Sequence, residues 1–245
     1  MEDKALLSTE EASGAEKAEL LIVIPAYNEA ENIERVVNHL TANFPQYDYV
    51  VVNDGSKDRT AEICRKRGYR LLDLPVNLGL AGAFQAGLKY ADKYGYQYAV
   101  QLDGDGQHRP EYLESMIKKM EEGYDIVIGS RFVGEKKPFT MRMLGSNLIE
   151  MAIRFTTGVN IKDPTSGMRM FSKRMIREFA SGLNYGPEPD TVSYLIRQGA
   201  RVAEVPVIMD ERILGVSYLT PVNAMRYMLK MLISILLIQN FRKRR

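Results

Sequence analysis

From Leu20 onward, short apolar runs alternate with longer amphipathic ones, and that alternation leaves the chain few architectures. The short runs read "LLIVIP", "YVVVND", "YRLLDLP", "YAVQLD" and "DIVIGS". They are rich in Val, Ile, Leu and Tyr, as strands are. Between them lie "EAENIERVVNHLTANF", "SKDRTAEICRKRG", "NLGLAGAFQAGLKYADKYG" and "PEYLESMIKKMEEG", each with apolar residues at helical spacing. Strands that are apolar at consecutive positions are buried on both faces. The pattern therefore predicts an α/β fold, a mostly parallel central sheet with helices on both faces. Ligands of such sheets gather beyond the carboxyl ends of the strands. Polar residues fall at those ends: Asn28 and Glu29 after the first strand, Asn53 and Asp54 after the second, Asp103 and Asp105 after the fourth, and Arg131 after the fifth.

The 245 residues, 45% hydrophobic and 26% charged, suffice for one large α/β domain or two small ones. The single cysteine, Cys64, excludes an internal disulfide; with no histidine cluster nearby it reads as a packing residue. His39 and His108 are too few and too scattered for a histidine metal site. The net charge of +2 is uneven: residues 1–19 hold six acids and two lysines, a net −4, which leaves +6 for the rest. Residues 1–18 read as a disordered polar tail rather than a signal peptide. The longest apolar stretch, Met228 to Ile238, is interrupted by Lys230 and is too short for a membrane span. The first strand runs into "PAYNE" without the glycines of a dinucleotide fingerprint, and no G-x-x-x-x-G-K-[ST] loop exists. Dehydrogenase and P-loop NTPase readings are thereby set aside, and nucleic acid is not an expected partner.

The run "YAVQLDGDGQHRP" states the chemistry. Side chains alternate along a strand, so Asp103 and Asp105, on either side of Gly104, are expected to point the same way. Two adjacent carboxylates call for a cation. Oxygen ligands at this spacing suit Mg²⁺ or Mn²⁺, which completes its shell with water and phosphate oxygens. Gln107 offers a further neutral oxygen, and Gly104, lacking a Cβ, leaves room for an anionic ligand to approach the backbone. Phosphates would be held by the metal and by arginines.

"IPAYNEAENI", "VVNDGSKDRT", "NLGLAGAFQAG", "LDGDGQHRP", "GSRF" and "DPTSGMRMF", in this order, resemble the family 2 glycosyltransferases of GT-A fold, and among them the dolichyl- and polyprenyl-phosphate sugar synthases. The resemblance covers roughly residues 19–220. It implies inverting transfer of a sugar from a nucleotide-sugar donor, with a divalent metal. It also implies donor-binding roles for Pro25, Tyr27, Glu29, Asn53, Asp54, Gly79, Asp103 and Gly104, with Asp54 reading base or ribose. Relatives commonly have Asp where Asn53 stands. The metal ligands implied are Asp103, Asp105 and Gln107, and the catalytic residues Asp105, Asp163 and Arg131. Arg131 would face the donor diphosphate or the acceptor phosphate, where a forked guanidinium is suited. Arg142, after the basic loop "GEKKPFTMR", would meet the acceptor's anionic head. Arg212, Gly215 and Ser217 in "ERILGVSYL" resemble a late loop that closes over phosphates, although relatives often carry lysine where Tyr218 stands.

Two acceptors remain open. A polyprenyl phosphate brings an anionic oxygen and needs no strong base. A sugar hydroxyl on a growing lipid-linked glycan needs a carboxylate to take its proton, and Asp163, Glu188 or Asp190 would serve. A nucleotide-sugar-binding regulator without turnover is the reading of another class. From Pro221 onward, Asn223, Arg226, Lys230 and Ser234 form a narrow polar stripe on an otherwise apolar helix, and the chain ends in "RKRR". Residues 221–245 thus suit either the interface of an anionic membrane or contact with a second copy or a small transmembrane partner. The expected protein is a peripheral glycosyltransferase at the cytoplasmic membrane face, acting on a polyprenyl phosphate.

Overall fold

The computed structural model describes residues 18–135, 137–138, 140–181, 186, 188–210 and 221–241, with Arg142 and a few others described by backbone alone. The expected acidic tail, the late loop at 211–220 and the terminal basic run lie outside these residues. The five expected strands are present as β1 (Leu20–Ala26), β2 (Asp48–Asp54), β3 (Leu71–Leu74), β4 (Tyr98–Gln101) and β5 (Ile126–Ser130). Two more complete the sheet, β6 (Arg169–Ser172) and β7 (Val202–Pro206). The order is β3-β2-β1-β4-β6-β5-β7. Only β6 runs against its neighbours β4 and β5; every other pairing is parallel.

The helices are α1 (Ile33–Asn43), α2 (Thr60–Arg67), α3 (Gly79–Lys93), α4 (Leu113–Glu121), α5 (Met141–Thr157), α6 (Lys173–Ala180), α7 (Pro189–Arg197) and α8 (Pro221–Leu236). The strand period of two divides the core into two layers. On one face Leu21, Val23, Val50, Val52, Ile126 and Ile128 pack with residues of α3, α5, α6, α7 and α8. On the other, Leu20, Ile22, Ile24, Val51 and Val127 pack with α1, α2 and α4. The continuous apolar runs exist because both faces are covered. Cys64 of α2 is buried in the second layer, where loss of hydration pushes its thiol up to about 11, so it stays protonated and inert near neutral pH.

One expectation changes. β4 ends at Gln101, and residues 104–106 form a turn in which Gly106 has φ +79°. Strand alternation therefore does not set the direction of Asp103 and Asp105; the turn does. In α8 the polar stripe is divided: Arg226 and Lys230 are exposed, whereas Ser234 is buried and donates to Asp190 Oδ2 at 2.6 Å. Met231 and Ile235 belong to the core, whereas Met225, Leu229 and Ile233 are exposed.

α3 approaches β1 closely enough to require glycine. A Cβ on Gly87 would lie 2.2 Å from Val23 Cγ1, and Val23 is held by two neighbouring strands. Gly87→Ala is expected to lower the unfolding free energy by about 1–3 kcal/mol through overpacking, measured by urea denaturation. An unchanged midpoint would mean that α3 can move off the sheet at no cost.

Candidate active site

Parallel register brings the strand ends level. Ala26 pairs with Asn53, and Val23 with Gln101, so the loops after β1, β2 and β4 open on one edge. β5 ends at the same edge, and β6, running the other way, begins there. A cavity of about 880 Å³ occupies this edge. Pro25, Tyr27, Glu29 and Asp54 line it from the first two strands, Gly79 and Leu80 from the start of α3, and Asp103, Gly104, Asp105 and Gln107 from the acidic turn. Arg131, the entry to β6 and the inner side of α8 complete the wall.

The β1–α1 loop is fixed to the β2–α2 loop by hydrogen bonds. Asn28 has φ +56°, a left-handed conformation that Asn tolerates better than most residues. Its N–H donates to Ser56 Oγ at 2.9 Å and its Oδ1 accepts from Lys57 N at 2.8 Å. The N–H of Glu29 donates to Thr60 Oγ1 at 2.9 Å, and its Oε2 accepts from Asn32 Nδ2 at 2.8 Å. Glu29 is thus buried at the cavity wall with its carboxylate oriented. Asp54 accepts from Leu78 N at 2.7 Å, tying the end of β2 to the start of α3, where Gly79 has φ +76°. Asn53 turns away: its Nδ2 donates to Asp73 Oδ1 at 2.6 Å, its Oδ1 is buried without a partner, and it does not line the cavity.

The acidic turn is held from several sides. A Cβ on Gly104 would sit 3.1 Å from Pro25 O, so the missing side chain admits the end of β1 as well as leaving a surface toward the cavity. Arg35 of α1 donates from Nη2 to Asp105 O at 2.9 Å and packs over Gly106. His108 accepts the Asp103 N–H on Nδ1 at 3.0 Å, which places its ring proton on Nε2, 3.5 Å from Asp103 Oδ2. The Asp103 carboxylate also accepts from Gln101 Nε2 at 2.9 Å, and Asp105 Oδ1 accepts from Gln107 N at 3.0 Å. Gln107 donates from Nε2 to Asp210 O at 3.2 Å. Arg109 bonds Asp210 through Nε at 2.8 Å and holds its carboxyl below the usual carboxylate range. His108 and Arg109 thus support the turn; the sequence places His108 beside the acids, whereas the reach of Arg109 to Asp210 leaves no local signal.

Among the described residues, no three His, Cys, Asp or Glu side chains cluster as a metal site. The donor set is instead two carboxylates and a glutamine amide on one cavity wall, all hard oxygens. That set fits Mg²⁺ or Mn²⁺, which is commonly held by one or two carboxylates and completed by substrate phosphates.

Asp163 is fully buried and takes Arg131 in a fork: Nε to Oδ2 at 2.7 Å, Nη2 to Oδ1 at 2.8 Å, and the Arg131 N–H to Oδ2 at 3.1 Å. Glu204 of β7 fixes the Asp163 backbone, accepting its N–H on Oε1 at 2.8 Å. Arg131 reaches the cavity while Asp163 stays behind it. Glu188 accepts the Tyr227 hydroxyl, and Asp190 accepts from Ser234 and Gln239. Burial first, and Glu188 second, push the Tyr227 phenol up, so it remains a donor. Arg169, at the start of β6, is buried and borders the same space. It stood unremarked inside "DPTSGMRMF", because only strand reversal brings it to this edge. Arg212, Gly215, Ser217 and Tyr218 lie outside the described residues, as does the side chain of Arg142.

The family model "Glycosyl transferase family 2" matches residues 21–179. The polyprenol monophosphomannose synthase of Mycolicibacterium smegmatis is 31% identical over 223 residues, covering 86% of this chain and 84% of that protein. The undecaprenyl-phosphate mannosyltransferase of Micrococcus luteus is 32% identical over 210 residues, covering 81% of this chain and 86% of that protein. The fold is similar to that of glucosyl-3-phosphoglycerate synthase from Mycobacterium tuberculosis, crystallised with Mn²⁺, uridine diphosphate and phosphoglyceric acid. That likeness has a TM-score of 0.66 and 20% identity, over 92% of this chain and 79% of the other.

The Arg131–Asp163 pair is expected to behave as one unit. Removing one partner of a buried pair leaves the other uncompensated, at about 3–5 kcal/mol. Asp163→Ala and Arg131→Ala should each destabilise, Arg131→Ala the more because it leaves the fully buried Asp163 carboxylate without its partner, and the double variant should lose less than the sum of the two. A double-mutant cycle in urea measures this coupling, and additive losses would dissolve the pair.

Proposed function

The chain belongs to glycosyl transferase family 2, and on that premise we propose that it transfers one sugar from a nucleotide-sugar donor to the phosphate of a polyprenyl phosphate. The observation that carries the choice of acceptor is the state of the candidate bases. Asp163 has both oxygens on Arg131, Glu188 holds Tyr227, and Asp190 holds Ser234 and Gln239. A hydroxyl acceptor needs a carboxylate that can take a proton, whereas a phosphate oxygen arrives already anionic. The names of the two relatives point to the same acceptor class.

In this reading Pro25, Tyr27 and Asp54 receive the nucleoside, Glu29 and Gly79 shape its pocket, and the diphosphate extends toward the acidic turn. Asp103, Asp105 and the amide oxygen of Gln107 would hold Mg²⁺ or Mn²⁺, which would supply positive charge against the departing diphosphate. An acceptor phosphate oxygen attacks the anomeric carbon from the face opposite the diphosphate. The new C–O bond forms as the old one breaks, the electron pair leaves with the nucleoside diphosphate, and the configuration inverts. Arg131 stabilises developing charge with the N–H groups that Asp163 leaves to it, and Asp163 is its positioning partner. Arg142 and the loop carrying Arg212 and Ser217 are candidates for further phosphate contacts. Incubating the protein with a panel of nucleotide sugars, Mn²⁺ and a short polyprenyl phosphate should yield glycolipid, detected by mass spectrometry. Excess chelator or Asp105→Ala should reduce the yield at least a hundredfold with the fold retained. Full turnover in chelator would remove the metal from the scheme, and nucleotide-sugar binding without product would favour the regulator.

The acceptor also implies a membrane surface. No helix among the described residues is long and apolar enough to cross a membrane. α5 and α8 pack together and leave a wide apolar face outward: Leu144, Leu148, Met151 and Phe155 on α5, Met225, Leu229 and Ile233 on α8. Phe155 is 85% exposed and Met151 65%. We place this face on the cytoplasmic leaflet, with the protein peripheral. Because Met231 and Ile235 are core residues, side-chain replacement rather than truncation is the test. Met151→Glu with Phe155→Glu should abolish sedimentation with anionic liposomes and spare transfer to a short soluble acceptor. Retained liposome binding, together with loss of an oligomer in ultracentrifugation, would assign the face to protein contact.

A further inference from the structure

β6 opens on a guanidinium whose hydrogen bonds the fold does not complete. Arg169 pairs in register with Ile128 of β5 and is only 4% exposed. Its Nη2 donates to Pro164 O at 2.6 Å, while its Nε is buried without a hydrogen-bond partner. Burial pulls its pKa below the usual arginine range, against the opposing charges of Glu188, Asp163 and Asp190. Arginine nonetheless stays protonated in proteins. None of these carboxylates forms an ion pair with it: Asp163 is taken by Arg131, and Glu188 by Tyr227. A buried guanidinium with an N–H unanswered costs free energy, and a ligand carrying acceptor oxygens would recover it.

The position of Arg169 indicates which ligand. The cavity wall on its side includes Tyr227 and Met228 of α8, and the outer side of that helix shows Met225 and Leu229. A lipid whose tail lies along the outer face meets the cavity from the side of α8, where Tyr227 and Arg169 stand. Arg131 reaches the same cavity from β5. Two guanidiniums supply the forked donors that a phosphate takes up.

We propose that Arg169 binds the acceptor's phosphate, forming with Arg131 a two-arginine seat on the α8 side of the cavity. This rests on the polyprenyl-phosphate reading and adds the residue that holds the acceptor apart from the donor. The seat orients an acceptor oxygen toward the anomeric carbon, and Glu188 keeps the empty site near neutrality.

Isothermal titration with farnesyl phosphate, and separately with GDP and UDP in Mn²⁺, tests the assignment on the full chain. Arg169→Gln should raise the Kd for farnesyl phosphate roughly tenfold or more, and leave the Kd of whichever nucleotide binds within about twofold. Arg169→Lys, which keeps the charge but loses the fork, should recover part of the affinity, and neutral farnesol should not distinguish the variants. Farnesyl phosphate binding unchanged in Arg169→Gln overturns the inference while leaving the proposed acceptor intact. So does an equal loss of nucleotide affinity, which would make Arg169 a donor residue, and so does a drop in Tm with all affinities unchanged, which would make it structural. If Arg169→Gln fails to fold, Arg169→Lys decides: binding as tight as wild type refutes the seat. Wild-type protein that ignores farnesyl phosphate yet glycosylates a hydroxyl acceptor overturns the acceptor reading and this inference together.

Discussion

Parallel pairing is the constraint on which the rest of this molecule depends. Each parallel strand must be followed by a crossover, so each carboxyl end returns to one edge and each crossover helix covers one face. The loops after β1, β2, β4 and β5 therefore meet at the cavity without any contact having to draw them there. β6 adds what parallel strands cannot. Because it runs the other way, its first residue rather than its last stands at the edge, which puts Arg169 and the segment of Asp163 to Gly167 beside the acidic turn.

Around this frame the charges are arranged in unlike ways. The carboxylates of the acidic turn face a cavity, where Asp103 accepts from Gln101 and lies by the Nε2–H side of His108, and Asp105 accepts from the Gln107 N–H. Asp163 is buried and wholly committed to Arg131, with Glu204 behind it. The first arrangement leaves anionic character for a cation to meet. The second converts a carboxylate into a clamp that aims a guanidinium. Two acids that look alike on the page thus do different work because one side of the sheet edge is open and the other is packed.

Much of this was legible in the sequence. Five strands and the helices between them followed from apolar runs long enough to show their period, and the acidic turn and Arg131 followed from where those runs stop. β6 and β7 were harder. β6 is four residues with a buried arginine in first place, and β7 mixes Val and Pro with Glu204, which serves Asp163 rather than solvent. Pairing partners far along the chain make these segments strands, and no local period reports that. The same distance hid Arg169, Arg35, which reaches across 70 residues to Asp105, and Arg109, whose partner Asp210 lies 101 residues on. Asn53 shows the converse: it stands at a strand end as a ligand residue would, but Asp73 on the neighbouring strand takes its side chain away from the cavity. In α8 the polar stripe is divided in the same way: Asp190 on α7 draws Ser234 inward, while Arg226 and Lys230 stay exposed.

The reversal at β6 also bears on how the chain acquires its shape. Ala99 of β4 pairs with Phe171, and Ile126 of β5 with Val202, so the middle of the sheet is closed by segments made long after the strands they join. Until residue 172 has left the ribosome, β4 is an open edge, four residues long and largely apolar, next to a nearly complete half-sheet of β1, β2 and β3. Such an edge invites pairing with another unfinished chain. The strand that brings Arg169 to the cavity therefore also ends that exposure, and a nascent chain loses its aggregation-prone edge before α8, the last wall of the cavity, is made.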